Sequence, residues 1–136
     1  MELVVDANIL ISGLIKDGIT RELMLNNDLD LYTSEFIYYE LFKHIKEIAK
    51  KADMTVNKIT DILEILIIES DLKIITKDHV KSFIDAANNI SPDIDDALYF
   101  SVALKLNCAI WSNDKELKNQ KIVKVYSTSD LLNRLK

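Results

Sequence analysis

Five carboxylates stand where this chain would otherwise continue an apolar stripe or finish a strand. Asp6 closes the run Leu3-Val4-Val5, and Glu40 interrupts a helical core stripe. Asp93 and Asp96 head a second stripe, and Asp114 follows Ala109-Ile110-Trp111-Ser112. An isolated buried carboxylate is costly, so several placed this way call for a shared counter-ion. Hard cations such as Mg²⁺ or Mn²⁺ take carboxylate and water oxygens by preference. The chemistry implied is metal-dependent hydrolysis.

Each acid also has an ordinary alternative. Asp6 could end a strand in a turn with Asn8. Glu40 sits between Ile37 and Leu41 on a helical face, where its alternative is a local ion pair with His44 one turn on. Asp93, Asp95 and Asp96 fall in a first helical turn, where negative charge complements the macrodipole. Asp96 should point inward, because Phe100, Ala103 and Leu104 continue its face, whereas Asp95 points elsewhere. Asp114 could cap the short segment Lys115-Glu116-Leu117, and Glu116 is a weaker acid of the same loop. His44 and His79 lack a partner at zinc spacing and read as surface or packing residues. Trp111 reads as core, and Cys108 as a small buried hydrophobe.

The elements that must position these residues alternate along the chain. Strands are expected at 2–6, 29–33, 71–76, 109–112 and 122–126. Helices are expected from Asn8, from Arg21 to Asn27 with Thr20 as N-cap, and from a Ser34 cap to about Lys51. Further helices run from a Thr55 cap to Ile68, over 78–89, from Ser91-Pro92-Asp93 to about Lys105, and from Ser127 or Ser129 to Arg134. Alternation of this kind predicts a parallel sheet with crossovers on both faces. Ligands in such sheets sit beyond the carboxyl ends of strands where the strand order reverses. An order 3-2-1-4-5 would bring Asp6 and Asp114 together there.

Composition narrows the function further. The 136 residues include only two Gly and one Pro, consistent with one domain over 1–136 built of regular elements with short connections. The single Cys108 forbids an intrachain disulfide and points to a reducing cytoplasm. Met1-Glu2-Leu3 lacks the basic start of a signal peptide, and Ile59–Ile68 is too short and too charged to span a bilayer. A net charge of −5 gives no general attraction for nucleic acid, so any such contact must be local. That disfavours a coating protein but suits a nuclease with an acidic metal site.

Three segments carry a resemblance: Val4-Val5-Asp6-Ala7-Asn8, Thr33-Ser34-Glu35-Phe36-Ile37-Tyr38-Tyr39-Glu40-Leu41, and Asp93-Ile94-Asp95-Asp96-Ala97 leading into Trp111-Ser112-Asn113-Asp114. In this order and spacing the chain resembles the PIN-domain ribonuclease family, which includes the VapC-type toxins. The resemblance implies an α/β three-layer sandwich with a central parallel five-stranded sheet of order 3-2-1-4-5 flanked by helices. It implies that Asp6, Glu40, Asp96 and Asp114 surround the metal, with Asp93 an additional acid in one branch. Asn8 and Ser12 match positions that orient the first carboxylate, and Ser112 matches a Ser/Thr before the last one. Glu116 departs from the Asp usual in that place. The expected activity is Mg²⁺- or Mn²⁺-dependent hydrolysis of phosphodiester bonds in single-stranded RNA, as the toxin of a toxin–antitoxin pair. An antitoxin partner and a homodimer are implied by the resemblance alone.

Lys43, Lys46 and Lys50 beside Glu40 are candidate guides for the phosphate backbone, against the alternative of a solvated helix face. The rival to the nuclease is a catalytically inactive PIN-like interaction subunit. An Asp-dependent phosphatase would want a second Asp where Asn8 stands. A receiver module would want paired acids at the first strand.

Overall fold

In the computed structural model, which describes residues 1–15 and 18–135, five strands form one parallel sheet. They are β1 (Glu2–Val5), β2 (Asp30–Ser34), β3 (Lys73–Ile75), β4 (Ala109–Trp111) and β5 (Val125–Tyr126), in the order β3-β2-β1-β4-β5. The helices are α1 (Ala7–Ile15), α2 (Gly18–Met24), α3 (Phe36–Lys43), α4 (Ile45–Lys51), α5 (Val56–Glu69), α6 (Ile84–Ile90), α7 (Ala97–Leu106) and α8 (Thr128–Arg134). Short 3-10 turns lie at Lys77–Phe83, Ile94–Asp96 and Lys115–Lys118.

The central strand explains the order. Leu3, Val4 and Val5 are all fully buried, as a parallel strand covered on both faces requires. Val5 pairs with Trp111, and Trp111 pairs with Tyr126. The next residue on each strand, Asp6, Ser112 and Ser127, therefore emerges at the same edge of the sheet. Helix α7 packs across β1, β2 and β4. It contributes the fully buried Tyr99, Phe100 and Val102 to the core.

With so few glycines, helix ends that need a left-handed residue take Asp or Asn instead, the side chains that tolerate it best. Asp53, Asp71 and Asn107 have φ of 54°, 52° and 51°. Behind Asn107, Cys108 N–H returns to Ala103 O at 3.1 Å, closing α7 and aiming the chain into β4. Asp71 does the same after α5, so the expected strand 71–76 begins only at Lys73.

Other expectations are corrected in detail. The helix expected from Ser34 to Lys51 is two helices, broken at His44 (φ −111°, ψ 9°). Ser34 ends β2, although its Oγ still accepts the N–H of Phe36 at 3.1 Å. Thr20 lies inside α2 and is not its N-cap. The segment 78–89 is a 3-10 turn followed by α6. Strand β5 is shorter than 122–126 because Gln120 diverts its start. The Gln120 side-chain carbonyl accepts the N–H groups of Ile122 and Val123, both at 2.9 Å.

Thr55 caps α5 as expected, and Ser127 caps α8 in a reciprocal box with Asp130. The box fixes the end of β5 to α8, whose Thr128 N–H is held by Asn113 Oδ1 at 2.8 Å, next to Asp114. Ser127→Ala is expected to cost about 1 kcal/mol, the usual worth of a lost N-cap. Urea unfolding checks this, and an unchanged midpoint would show that the box carries no stability.

Candidate functional site

The site is built on the carboxyl ends of β1 and β4, the two strands at which the sheet order reverses. Asp6 follows β1 directly and is 4% exposed. Its Oδ1 accepts the N–H of Ile9 at 3.1 Å, in the first turn of α1. Its Oδ2 accepts the hydroxyl of Ser112 at 2.5 Å, from the end of β4. The Ser112 Oγ in turn accepts the N–H of Asp114 at 3.1 Å. A chain of hydrogen bonds thus runs from the loop after β4 to the carboxylate after β1. From the other side, Thr33 Oγ1 donates to Val5 O at 2.7 Å and steadies the residue before Asp6.

The Asp6 carboxyl is pushed up to about 6, and burial is the largest cause. The two hydrogen bonds oppose the shift, while the charges of Glu40 and Asp114 add to it. Asp96 is pushed up to about 7, first by burial and then by Asp6, Asp93, Glu40 and Asp114. Asp96 occupies the N-cap position of α7, yet its side chain makes no capping bond. Its carboxyl is left facing the other acids.

Glu40, on α3, is half-buried and accepts the hydroxyl of Tyr99 at 2.6 Å. Burial raises its pKa most; the Tyr99 bond lowers it, Asp95 raises it, and His44 and Lys43 lower it. The direct pair with His44 considered from sequence is not the one formed. His44 Nδ1 instead lies 3.7 Å from Glu47.

Asp114 caps a turn, one of the two readings open to it, and also adds charge to the crevice. Its Oδ1 caps the Lys115–Lys118 turn through Glu116 N–H at 3.0 Å, while its charge reaches Asp6 and Asp96. Asp93 is exposed and caps the preceding 3-10 turn through Asp95 N–H at 3.0 Å, and its charge raises Asp96. Asp95 is exposed but near enough to act on Glu40. Glu116 is exposed.

Asn8 is exposed and Ser12 half-buried, and neither reaches Asp6 with a hydrogen bond. The orienting is done by Ser112 and the Ile9 amide. Lys43, Lys46 and Lys50 are exposed; Lys43 Nζ lies 5.9 Å from the centroid of the Tyr39 ring. His79 pairs with Thr76 away from the site. Trp111 is fully buried, with its indole N–H on Thr128, and Cys108 is half-buried.

Tyr99 is the residue that pattern reading missed. It is fully buried, its phenol is held far up by burial and by Glu40, and its hydroxyl positions that carboxylate. A tyrosine on a core helix must find a partner for its hydroxyl, and Tyr99 lies three residues after Asp96.

The donor set is all carboxylate oxygen, and among the described residues no lysine or arginine forms an ion pair with it, which suits a hard divalent cation. Among the described residues, no three His, Cys, Asp or Glu side chains stand close enough together to form a ready ligand group. The fit therefore rests on donor chemistry and mutual charge.

Comparison with known proteins bears on the family and the fold. The PIN domain model matches residues 4–133. Among solved structures, the chain is similar to a chain of VapBC2 from Rickettsia felis, solved bound to a DNA fragment from its promoter. The TM-score is 0.70 at 19% identity, covering 93% of this chain and 98% of that one, a likeness of fold. No curated protein sequence matches.

The raised carboxyls set a pH dependence. In the unfolded chain Asp titrates near about 4. Folded Asp6 and Asp96 hold their protons to about 6 and about 7. Their favourable contribution is complete below the unfolded value and is lost as pH rises through the folded ones. Metal-free protein should accordingly melt lower at pH 8 than these groups allow at pH 5. Asp96→Asn is expected to raise the pH 8 melting temperature by about 4 °C, the shift made by one kcal/mol in a domain of this size, with no gain at pH 4. Equal melting of variant and parent at pH 8 would remove the repulsion argument.

Proposed function

The chain belongs to the PIN-domain family, and from that premise we propose that it is a metal-dependent endoribonuclease acting on single-stranded RNA. The observation that carries this reading is the convergence of charge on Asp96, where Asp6, Glu40 and Asp114 all act on one half-buried carboxyl. The reading takes residues 1–136 as one nuclease domain. PIN-domain nucleases generally use divalent ions, and Mg²⁺ or Mn²⁺ suits these donors. Asp6, Asp96 and Asp114 would hold the ion with Glu40, and Asp93 is the added candidate. A bound divalent ion supplies Lewis-acid polarisation of the phosphoryl group and a hydroxide at neutral pH.

The chain's own residues do the rest. Ser112 and the Ile9 amide fix both oxygens of Asp6, so its lone pairs are aimed before any ion arrives. Tyr99 holds one oxygen of Glu40 and leaves the other to accept a proton from an attacking water. Asp114 spends one oxygen on its cap and leaves its second for the crevice. The likeness to VapBC2 supports a role as the toxin of a toxin–antitoxin pair with an antitoxin partner, and we propose with it a homodimeric, cytoplasmic state. Among the described residues no helix is long and apolar enough to cross a membrane.

Asp6→Asn is expected to abolish Mn²⁺-dependent cleavage of a labelled single-stranded RNA, and Glu40→Gln to lower it at least 100-fold (on the order of one lost catalytic group). Asp95→Asn should cleave at close to the parent rate. Mn²⁺ should raise the parent's melting temperature in proportion to the logarithm of its concentration above the dissociation constant, and the response should be flat in Asp96→Asn/Asp114→Asn. A parent that shows neither cleavage nor stabilisation by Mn²⁺ is an inactive interaction subunit instead.

A further inference from the structure

Beside the acidic crevice lies a feature of opposite charge. A groove of about 800 Å³ runs along β5 and α8, and its walls include Lys118, Lys121, Lys124, Tyr126, Asp130 and Arg134. Lys118 is already committed to Asp130 at 2.7 Å, and the same Asp130 oxygen accepts Ser127 N–H. The other three cations have no carboxylate partner among the described residues. Among the described residues the ion pairs are His44–Glu47, Lys73–Asp71 and Lys118–Asp130. In a chain of net charge −5, three unneutralised cations along one groove are a local reversal of field.

Register places one end of this groove near the catalytic crevice, while Lys121 and Lys124, which precede β5, and Arg134, at the far end of α8, carry it away from the crevice. Tyr126 pairs with Trp111, and Trp111 with Val5, the residue before Asp6. Neighbouring strands are about 4.8 Å apart, so Tyr126 lies roughly 10 Å across the sheet from Val5. The groove also begins on the turn that Asp114 caps. Lys115–Lys118 rises about 2.0 Å per residue, roughly 8 Å from the site loop to Lys118. The loop and the groove are joined by Asn113 Oδ1 accepting Thr128 N–H at 2.8 Å.

The geometry points to a second binding site: a phosphate-tracking groove that holds the sugar–phosphate backbone of a single-stranded RNA on one side of the bond to be cut. The assignment rests on RNA being the substrate. Tyr126 is not a platform for bases, because Lys124 Nζ lies 5.7 Å and the Arg134 guanidinium 5.4 Å from its ring centroid. The ring instead holds the two cations beside the groove and limits their freedom. An acidic peptide added to the edge of β5 is less well served. The strand has only two residues, and the N–H groups of Ile122 and Val123 before it are taken by Gln120. Cations without free strand backbone read phosphate rather than peptide.

The test is binding of a fluorescein-labelled 12-nucleotide oligouridylate to the full chain in EDTA, followed by anisotropy across a salt series. Lys121→Gln/Lys124→Gln/Arg134→Gln is expected to weaken binding about tenfold near 0.1 M salt. It should also lower the slope of log affinity against log salt by about 2, three contacts at roughly 0.7 each. All three residues are exposed, and an unchanged melting temperature verifies that the variant is folded. A charge-matched control, Lys58→Gln/Lys81→Gln/Lys105→Gln, should bind as the parent does.

Parent-like binding by the groove variant, equal losses in both triple variants, or no binding by the parent in EDTA would each overturn the groove. So would loss of a hexaglutamate peptide with RNA binding intact, which would reassign the groove to an acidic partner. Cleavage by the parent in Mn²⁺, measured separately, tells failure of the groove from failure of the nuclease reading.

Discussion

The hydrogen bond from Ser112 to Asp6 is the contact on which the rest of the site's geometry hangs. It joins the residue after β4 to the residue after β1, and those strands are adjacent only because the parallel sheet reverses its order between them. A carboxylate buried to this extent normally loses its charge. Two donors on Asp6 oppose that loss but do not cancel it, so the carboxyl rests near about 6, close to the boundary between its two states. Small changes in nearby charge therefore decide its protonation. A divalent cation is the largest such change available to a site with these donors.

Around this bond the other acids are placed by elements with different tasks. α3 brings Glu40 from the β2 side, and Tyr99 of α7 grips it from across the crevice. α7 begins at Asp96, whose N-cap position would ordinarily use the side chain to bind the helix's own amides. Here the carboxyl forgoes that bond and remains in the repulsive field of its neighbours. Asp93 and Asp114 do cap their turns, so they serve structure with one oxygen while adding charge to the site. Asp93 and Asp114 thus hold loops, whereas Asp96 caps nothing and is pushed up further than Asp6.

Much of this was legible in the residues themselves. The apolar run ending at Asp6 gave a buried central strand, and helical spacing placed Asp96 on the same face as Phe100, so both turned out to be inward. A strand order of 3-2-1-4-5 would explain where the acids meet, the family resemblance implied it, and the sheet has it. What pattern could not show was partner choice. Periodicity puts His44 one turn from Glu40 but does not reveal that the helix breaks at His44, which turns the imidazole toward Glu47. Nor does it show that Gln120 takes the amides that would have started β5. Tyr99 was hidden for a related reason: a core tyrosine looks like packing until the position of its hydroxyl is known. Of the three polar residues matched through the family resemblance, Asn8 and Ser12 make no hydrogen bond to Asp6, while Ser112 does, together with the Ile9 amide.

The two readings of the protein, nuclease and inactive relic, differ in what they make of this residual cost. An interaction subunit has no use for Asp96, which caps nothing, accepts no hydrogen bond among the described residues and is repelled by four other acids. Asparagine there would relieve the repulsion at little change in shape, and a relic site would drift toward it. Sequences depart from local consistency mainly where function requires it. Asp6 alone does not separate the readings, because its hydrogen bonds to Ser112 and Ile9 give it structural work. Asp96 bears on the choice more directly: its carboxyl has no structural task of that kind, and a bound cation is what the nuclease reading supplies for it.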